Sequence, residues 1–188
     1  MRKFFLAALL IYGAARLTET FKKRDKLEGR VVAPYTLYLL VAAHLAVFLA
    51  ALHDVGNFPA QLSVIHIVGF FLVVIAAIGR YYSIKTLGAY HSIQIEIRPN
   101  HPVICHGPYS FVRNPYYISN AVEIVGFPLM VNSLCGVAVA LLLYWPCLYL
   151  RIGLEERALL EAIKAPFSDY MHRVPRFVPN GICVGVLI

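Results

Sequence analysis

The chain has 188 residues, of which 60% are hydrophobic and only 14% are charged, and its mean hydropathy is +0.68. Soluble domains carry about 25% charged residues, so this chain has too little polar surface to cover a globule in water. Its four cysteines are too few for a disulfide scaffold and form no CxxC pair, so they give no indication of a zinc or redox motif. The composition therefore predicts an integral membrane protein, all α-helical, with a single domain over 1–188.

Hydropathy predicts about five membrane-spanning helices, because each crossing needs about 20 mainly apolar residues. The break between the last two is expected near Pro128 and Asn132, where turn-forming residues interrupt the apolar run. The first apolar segment also resembles a secretory signal peptide, but the basic stretch at 22–30 would resist translocation and favours a retained helix. The predicted spans are about 3–17, 33–53, 58–80, 116–132 and 134–152.

The distribution of basic residues predicts the orientation in the membrane. The connections 16–33, 80–115 and 151–188 contain six, four and five of the 17 Lys and Arg residues. The excess of Lys and Arg in cytoplasmic loops then places the N-terminus outside and the C-terminus in the cytoplasm. This asymmetry and the attraction to anionic lipid account for the net charge of +7. No nucleic-acid partner is needed to explain it.

Polar residues concentrate in the connection 87–117. Residues 93–98 alternate between apolar and polar, which predicts a short extended segment. Four prolines in the rest of the connection exclude a long helix. Because structured loops of roughly 30 residues are usually functional, this loop is expected to carry part of a site.

The second polar segment, 151–179, is predicted to continue the last span as a helix that Pro166 kinks or ends. Arg151 and Glu155 stand four residues apart, one above the other on a helix face. That spacing is also typical of a boundary arginine in a surface ion pair. Glu123 lies within a predicted span and is a candidate functional group facing the bundle interior, or else a neutral structural residue. The histidines show no metal-ligand spacing, so no metal site is predicted.

Two motifs resemble a known family. GPY at 107–109 followed by RNPYY at 113–117 resembles the GxY…RHPxY signature of the isoprenylcysteine carboxyl methyltransferase and phospholipid methyltransferase superfamily. EERALL at 155–160, followed by PRFVP at 175–179, is similar to that superfamily's EExxL…VPRxxP ending. Both stand in the family's order, separated by one apolar hairpin. Asn114 replaces the histidine of the first motif.

The resemblance implies a membrane methyltransferase whose cofactor pocket is formed by segments 87–117 and 151–179 on the cytoplasmic side. It implies S-adenosylmethionine as cofactor, with S-adenosylhomocysteine as product. Carried over by position, the pocket would use Gln94, His101, Pro102, Val103, Ile104, Tyr109, Asn114, Pro115, Tyr116, Tyr117 and Glu155.

The resemblance also implies the catalytic pair, Arg151 and Glu155, with Arg151 holding a substrate carboxylate. Arg113 and Glu123 are predicted to join Arg151 on the substrate side. The expected partners are membrane lipids and a lipid, prenylated or otherwise amphiphilic acceptor. O-methylation of a carboxylate is favoured, because an arginine at 151 would repel an amine. N-methylation of a phosphatidylethanolamine-type headgroup, O-methylation of a phenolic or pyrone lipid, and a non-catalytic membrane protein with the same fold are the alternatives.

Overall fold

A computed structural model of the chain describes residues 2–21, 27–57, 63–98 and 102–179. A short antiparallel sheet, and 3₁₀ turns at Gly88–Tyr90 and Gly107–Ser110, accompany the α-helices. The helices are α1 (Arg2–Phe21), α2 (Tyr35–Asn57), α3 (Val64–Leu87), α4 (Pro115–Met130), α5 (Leu134–Val139), α6 (Trp145–Ile163) and α7 (Ala165–Arg173). The strands are β1 (Arg30–Val32) and β2 (Ile95–Ile97). The start of the predicted third span, 58–62, lies outside the described residues.

Three helical stretches in the described ranges are long and apolar enough to cross a bilayer: Tyr35–Val55, Val64–Tyr90 and Leu134–Ile163. They confirm the mostly helical membrane fold. The 16 residues of α4 extend only about 24 Å, less than the roughly 30 Å of a hydrocarbon core. The count of five spans therefore stays a prediction.

The last apolar stretch is one continuous helical run. A π-helical turn at Ala140–Tyr144 joins α5 to α6, and the run continues past the predicted end of the span to Ile163. Lys164 then takes a positive φ of 58°, and α7 begins with Pro166 in its first turn, where a missing N–H costs nothing. The predicted helical continuation and the break at Pro166 are both confirmed.

Helices α3 and α4 approach so closely that their contact has no room for a side chain at three positions, Gly69, Gly79 and Gly126. A Cβ added to Gly69 would lie 2.1 Å from the backbone nitrogen of Met130. A Cβ at Gly126 would lie 2.7 Å from the Leu72 Cβ. Small residues allow this kind of backbone contact between helices in membranes, and here the contact sets the spacing of the charged groups that lie between the two helices.

Those charged groups surround Glu123, whose side chain is 2% exposed. Arg80 of α3 donates from Nη1 to Glu123 Oε2 at 2.5 Å, and Arg16 of α1 places Nε 3.3 Å from the same oxygen. A charge inside an apolar bundle must be paired, so this carboxylate links three helices. Glu123 is predicted from the sequence to bind substrate. The structure places it in this ion cluster, and the substrate role stays a prediction.

The loop between α3 and α4 is held to the rest of the chain by the sheet. β1 and β2 pair antiparallel with Val31 opposite Glu96, which confirms the extended segment predicted at 93–98. Glu96 accepts a hydrogen bond from the Gly29 backbone at 2.9 Å. Arg98 donates to the carbonyls of Leu27 and Tyr90, at 2.6 and 2.7 Å. The loop thus gains fixed partners from the segment that precedes α2, although β1 has no signal of its own in the sequence.

We predict that Gly69→Ala lowers the free energy of unfolding by about 2–3 kcal/mol, because the new Cβ must displace the α4 backbone. Thermal unfolding in detergent measures the change. Gly153→Ala is the matched control: a Cβ there meets no atom within 4 Å, and alanine is the better helix former. Equal stability of the two variants would contradict the packing argument.

Candidate functional site

A first cavity, the loop cavity, lies between the 87–117 connection, the end of α6 and α7, and encloses about 110 Å³. Its wall contains nine of the positions predicted for cofactor binding: Gln94, Pro102, Val103, Ile104, Tyr109, Asn114, Tyr116, Tyr117 and Glu155. Pro115 is instead buried in the first turn of α4, and His101 lies outside the described residues. The fold thus brings most of the predicted set together, while their roles in binding stay predictions.

A second cavity, the bundle cavity, lies among α1, α2, α4 and α6 and encloses about 340 Å³. It shares Tyr116 and Tyr117 with the loop cavity, and Arg151 is on its wall. Most of its other lining side chains are apolar: Leu17, Leu37, Leu40, Val41, Leu45 and Phe48. The two cavities therefore meet at the tyrosine pair, one lined mainly by the polar loop and the other by apolar helix faces.

Arg151 is 3% exposed and lies where the cavities meet. Its Nε donates to the Tyr117 hydroxyl at 3.0 Å, its Nη1 to Thr36 Oγ1 at 2.9 Å, and its Nη2 to the Ile93 carbonyl at 2.6 Å. These bonds use three of the five guanidinium N–H groups. Within the described residues, one N–H on each Nη remains for a further acceptor, which is the pair that a carboxylate engages in a bidentate contact.

Tyr117 connects Arg151 to the loop cavity, because its hydroxyl donates in turn to Glu155 Oε2. The spacing of Arg151 and Glu155 predicts neighbours on one helix face. The structure places a tyrosine hydroxyl from α4 between them. The resulting chain of arginine, phenol and carboxylate runs from the bundle cavity into the loop cavity.

Aromatic rings surround Glu155 in the loop cavity. Burial, with the Glu155 carboxylate as the next contribution, raises the pKa of the Tyr109 phenol well above its usual value, so this ring stays neutral. The Tyr109 carbonyl accepts a hydrogen bond from the Tyr170 hydroxyl at 2.7 Å. Phe167 and Tyr170 of α7 are buried with Val103 against them, so α7 closes the cavity over the loop.

Glu156 is the central acceptor at the base of this cavity, and it is 4% exposed. Its Oε1 accepts from Asn114 Nδ2 at 2.8 Å and from Arg113 Nε at 3.2 Å. Its Oε2 accepts from both Nε and Nη2 of Arg176. Asn114, at the position where the resemblance has a histidine, thus serves as a donor to this carboxylate.

Arg113 makes further bonds that fix α7 to the start of α4. Its Nη1 donates to the carbonyls of Met171 and Val174, at 2.7 and 2.8 Å. Arg113 also lines the loop cavity, on the opposite side of the tyrosine pair from the apolar walls. The role of Arg113 in binding substrate stays a prediction. In the structure, its hydrogen bonds hold α7 against the start of α4.

Sequence reasoning missed Glu156 and Thr36 as site-forming residues. Glu156 had a signal, since it is the second residue of the EE pair in the ending motif. Thr36 had none, because it lies 115 residues before the arginine that it accepts from.

We predict that Glu156→Ala lowers the free energy of unfolding by about 2–3 kcal/mol, because two guanidinium groups lose their shared carboxylate. Arg176 keeps 30% of its side chain exposed, so water offsets part of the loss. Glu161→Ala, at an exposed position of the same helix, is the control and should leave unfolding in detergent nearly unchanged. Equal effects would contradict the central role of Glu156.

Two curated bacterial relatives are similar to this chain. The cobalt-zinc-cadmium resistance protein CzcN of Cupriavidus metallidurans is 34% identical over 102 residues, which cover 52% of this chain and 45% of that protein. The nickel-cobalt-cadmium resistance protein NccN of Alcaligenes xylosoxydans xylosoxydans is 32% identical over 151 residues, which cover 80% of this chain and 62% of that protein. The chain thus spans less than two thirds of the length of either relative.

A solved structure has a similar fold. It is that of the eukaryotic intramembrane Ras methyltransferase ICMT (isoprenylcysteine carboxyl methyltransferase), with a TM-score of 0.58 and 25% sequence identity. The superposition covers 79% of this chain and 53% of that one. The model of the isoprenylcysteine carboxyl methyltransferase (ICMT) family matches residues 67–161, which include most of α3, the loop, α4, α5 and most of α6. Since this match takes in half of the sequence, with the whole 87–117 connection and the part of α6 that holds Arg151 and Glu155, the chain belongs to the isoprenylcysteine carboxyl methyltransferase family.

Proposed function

We propose that the protein is an S-adenosylmethionine-dependent methyltransferase that O-methylates the carboxylate of an amphiphile taken from the membrane. The observation that carries this proposal is the chain from Arg151 through Tyr117 to Glu155 at the junction of the two cavities. One end of the chain offers a carboxylate clamp, and the other end offers a carboxylate that attracts a cation. A carboxyl methyl transfer needs these two groups side by side.

The residues of the loop cavity fit the cofactor by their chemistry. The Glu155 carboxylate can accept hydrogen bonds from ribose hydroxyl or ammonium donors. Tyr109 and Tyr116 present ring faces that attract cations and can stack on a base. The backbone of 102–104 can read the edge of the adenine. When bound, S-adenosylmethionine supplies the methyl electrophile.

The bundle cavity fits the acceptor. Its wall is mainly apolar, and Leu17 and Leu45 on it are more than half exposed, so a hydrocarbon chain can enter from the apolar surface of the bundle. Arg151 stands at the inner end, with one N–H on each Nη available to an acceptor. A chain in this cavity would therefore place its carboxylate at the guanidinium and next to the tyrosine pair.

Residues of the protein contribute positioning and water exclusion rather than proton transfer. A carboxylate is already ionised at neutral pH, so the site needs no general base. Arg151 holds the acceptor oxygens in place, and Tyr116 and Tyr117, on the walls of both cavities, line the boundary at which the two ligands would meet. Orientation of this kind can account for a large part of a rate enhancement. An amine acceptor is disfavoured, because it would meet the buried positive charge of Arg151.

We further propose that the loop cavity faces the cytoplasm and the N-terminus the opposite side. The connections 16–33, 80–115 and 151–188, which form the loop cavity and hold it in place, contain most of the Lys and Arg residues. This excess favours the cytoplasmic side for the loop cavity. The cofactor would then reach the site from the cytoplasm, while the acceptor reaches it from the bilayer.

Arg151→Gln should reduce kcat/KM for a carboxylic acceptor by about 100-fold or more, because glutamine keeps hydrogen bonding but loses the charge-assisted bidentate contact. Methyl transfer to S-farnesylcysteine and to palmitic acid measures it, with binding of S-adenosylhomocysteine expected to stay within about threefold. Arg157→Gln, at an exposed position of the same helix, is the control and should retain activity. Comparable turnover in both variants would reject the clamp.

Glu155→Gln should weaken S-adenosylhomocysteine binding by about tenfold or more, because it removes a charged acceptor from the loop cavity. Isothermal titration of the purified protein in detergent measures the dissociation constant. Glu161→Gln, an exposed position on the same helix, should bind like the original protein. Absence of binding to the unsubstituted protein would reject the methyltransferase proposal as a whole.

A further inference from the structure

The bundle cavity is polar at two depths. The upper polar level, where Arg151 and Tyr117 lie, serves the carboxylate in the proposed function. A lower polar level contains Asn120 of α4, His44 of α2 and Arg16 of α1, all on the wall of the same cavity. An unsubstituted hydrocarbon chain could not form hydrogen bonds with polar groups at that depth.

The distance between the two levels follows from helix geometry. Asn120 lies three residues after Tyr117 on α4, which is about 4.5 Å along the axis. His44 lies eight residues after Thr36 on α2, which is about 12 Å. Since Tyr117 and Thr36 both bond Arg151, the lower level lies roughly one to two helical turns deeper in the bundle than the guanidinium.

The hydrogen bonding of the Asn120 amide is incomplete among the described residues. Its side chain is 7% exposed, and its Oδ1 is buried without a hydrogen-bond partner among the described residues. An unsatisfied amide oxygen in an apolar interior is unfavourable, because it has lost its hydrogen bonds to water without replacing them. The amide carries two donors and one acceptor group, so a hydroxyl or a carbonyl oxygen of a ligand could complete it.

The neighbours of Asn120 make a fixed polar frame. The His44 ring stacks on Tyr12 at 6.3 Å and meets Tyr144 edge-on at 6.0 Å. Arg16 is held 3.3 Å from Glu123. Contacts with Tyr12, Tyr144 and Glu123 therefore hold these two side chains in place on the cavity wall.

We propose that the acceptor carries a second hydrogen-bonding oxygen, a hydroxyl or keto group on its hydrocarbon body, which Asn120 binds about one helical turn below the carboxylate. Asn120 is then a specificity-determining residue of the bundle cavity. This inference rests on the proposed carboxyl methylation, and it narrows the acceptor to an oxygenated amphiphilic acid rather than a plain fatty or prenyl acid.

Equilibrium binding of radiolabelled palmitic acid and of palmitic acids hydroxylated at carbon 3, 6 or 10 tests the proposal, with the full chain in detergent and S-adenosylhomocysteine bound. We expect the acid hydroxylated at carbon 6 to bind about five- to tenfold more tightly than palmitic acid, the gain from one hydrogen bond to a buried amide, and the acids hydroxylated at carbon 3 or 10 to gain less because their hydroxyls lie at other depths. Asn120→Leu should reduce this preference to less than twofold.

Ser119→Ala is the matched control, because Ser119 lies on the same helix but packs toward Gly79 of α3, and it should keep the full preference. Should Asn120→Leu fail to bind S-adenosylhomocysteine, Asn120→Ser provides a smaller polar substitute that should weaken the preference partly. No preference in the unsubstituted protein, or the same preference in Asn120→Leu, would overturn the inference. Binding of none of the acids would overturn it as well.

Methyl ester formation from the same acids separates this inference from the proposed function. A hydroxyl preference that depends on Asn120, without any methyl ester, would reject carboxyl methylation and retain the second polar contact. Equal methyl ester formation from all the acids, with equal binding, would retain carboxyl methylation and reject the contact.

Discussion

The burial of one guanidinium organises the whole site. Arg151 is nearly inaccessible to solvent, and an arginine in an apolar bundle is stable only when its donors and its charge are matched. Its partners come from α2, from α4 and from the loop before β2. These three elements must therefore meet at α6, and the place where they meet is also where the two cavities join. The residue that is proposed to hold the acceptor is thus the same residue that brings the walls together.

Two buried carboxylates, like the Arg151 guanidinium, hold distant parts of the chain together. Glu123 pairs with arginines of α1 and α3 deep in the bundle, where glycines permit α3 and α4 to come close. Glu156 pairs with arginines on either side of α7 and so closes the loop cavity. Each carboxylate is surrounded by donors from distant parts of the chain. Because a buried charge without its partner is strongly unfavourable, these pairs restrict the packing more tightly than apolar contacts alone would.

In the proposed function, the two ligands bind in different environments. The charged, water-soluble cofactor would occupy the polar loop cavity, and the lipid acid would occupy the apolar bundle cavity. Tyr116 and Tyr117 belong to both walls, so the reacting groups can approach without either ligand leaving its own medium. Exclusion of water at this boundary strengthens the electrostatic contacts of Arg151 and Glu155. The Asn120 amide, whose oxygen is unsatisfied, lies deeper in the bundle. A polar group there is unfavourable unless a ligand forms a hydrogen bond with it.

Local sequence patterns determined the elements of this protein, because hydropathy, alternation and proline act within a few residues. The apolar stretches, the extended segment at β2, the break near Pro128 and the end of the long helix before Pro166 all follow from neighbours in the chain. The resemblance to the family's motifs also pointed to Arg151 and Glu155, whose roles stay predictions. Tertiary structure alone decided how these groups act together. It placed the Tyr117 hydroxyl between the pair, brought Thr36 to the arginine across 115 positions and gave Asn114 and Arg113 to Glu156. Such contacts depend on which helix faces pack together, and that is set by the whole bundle rather than by any segment of it.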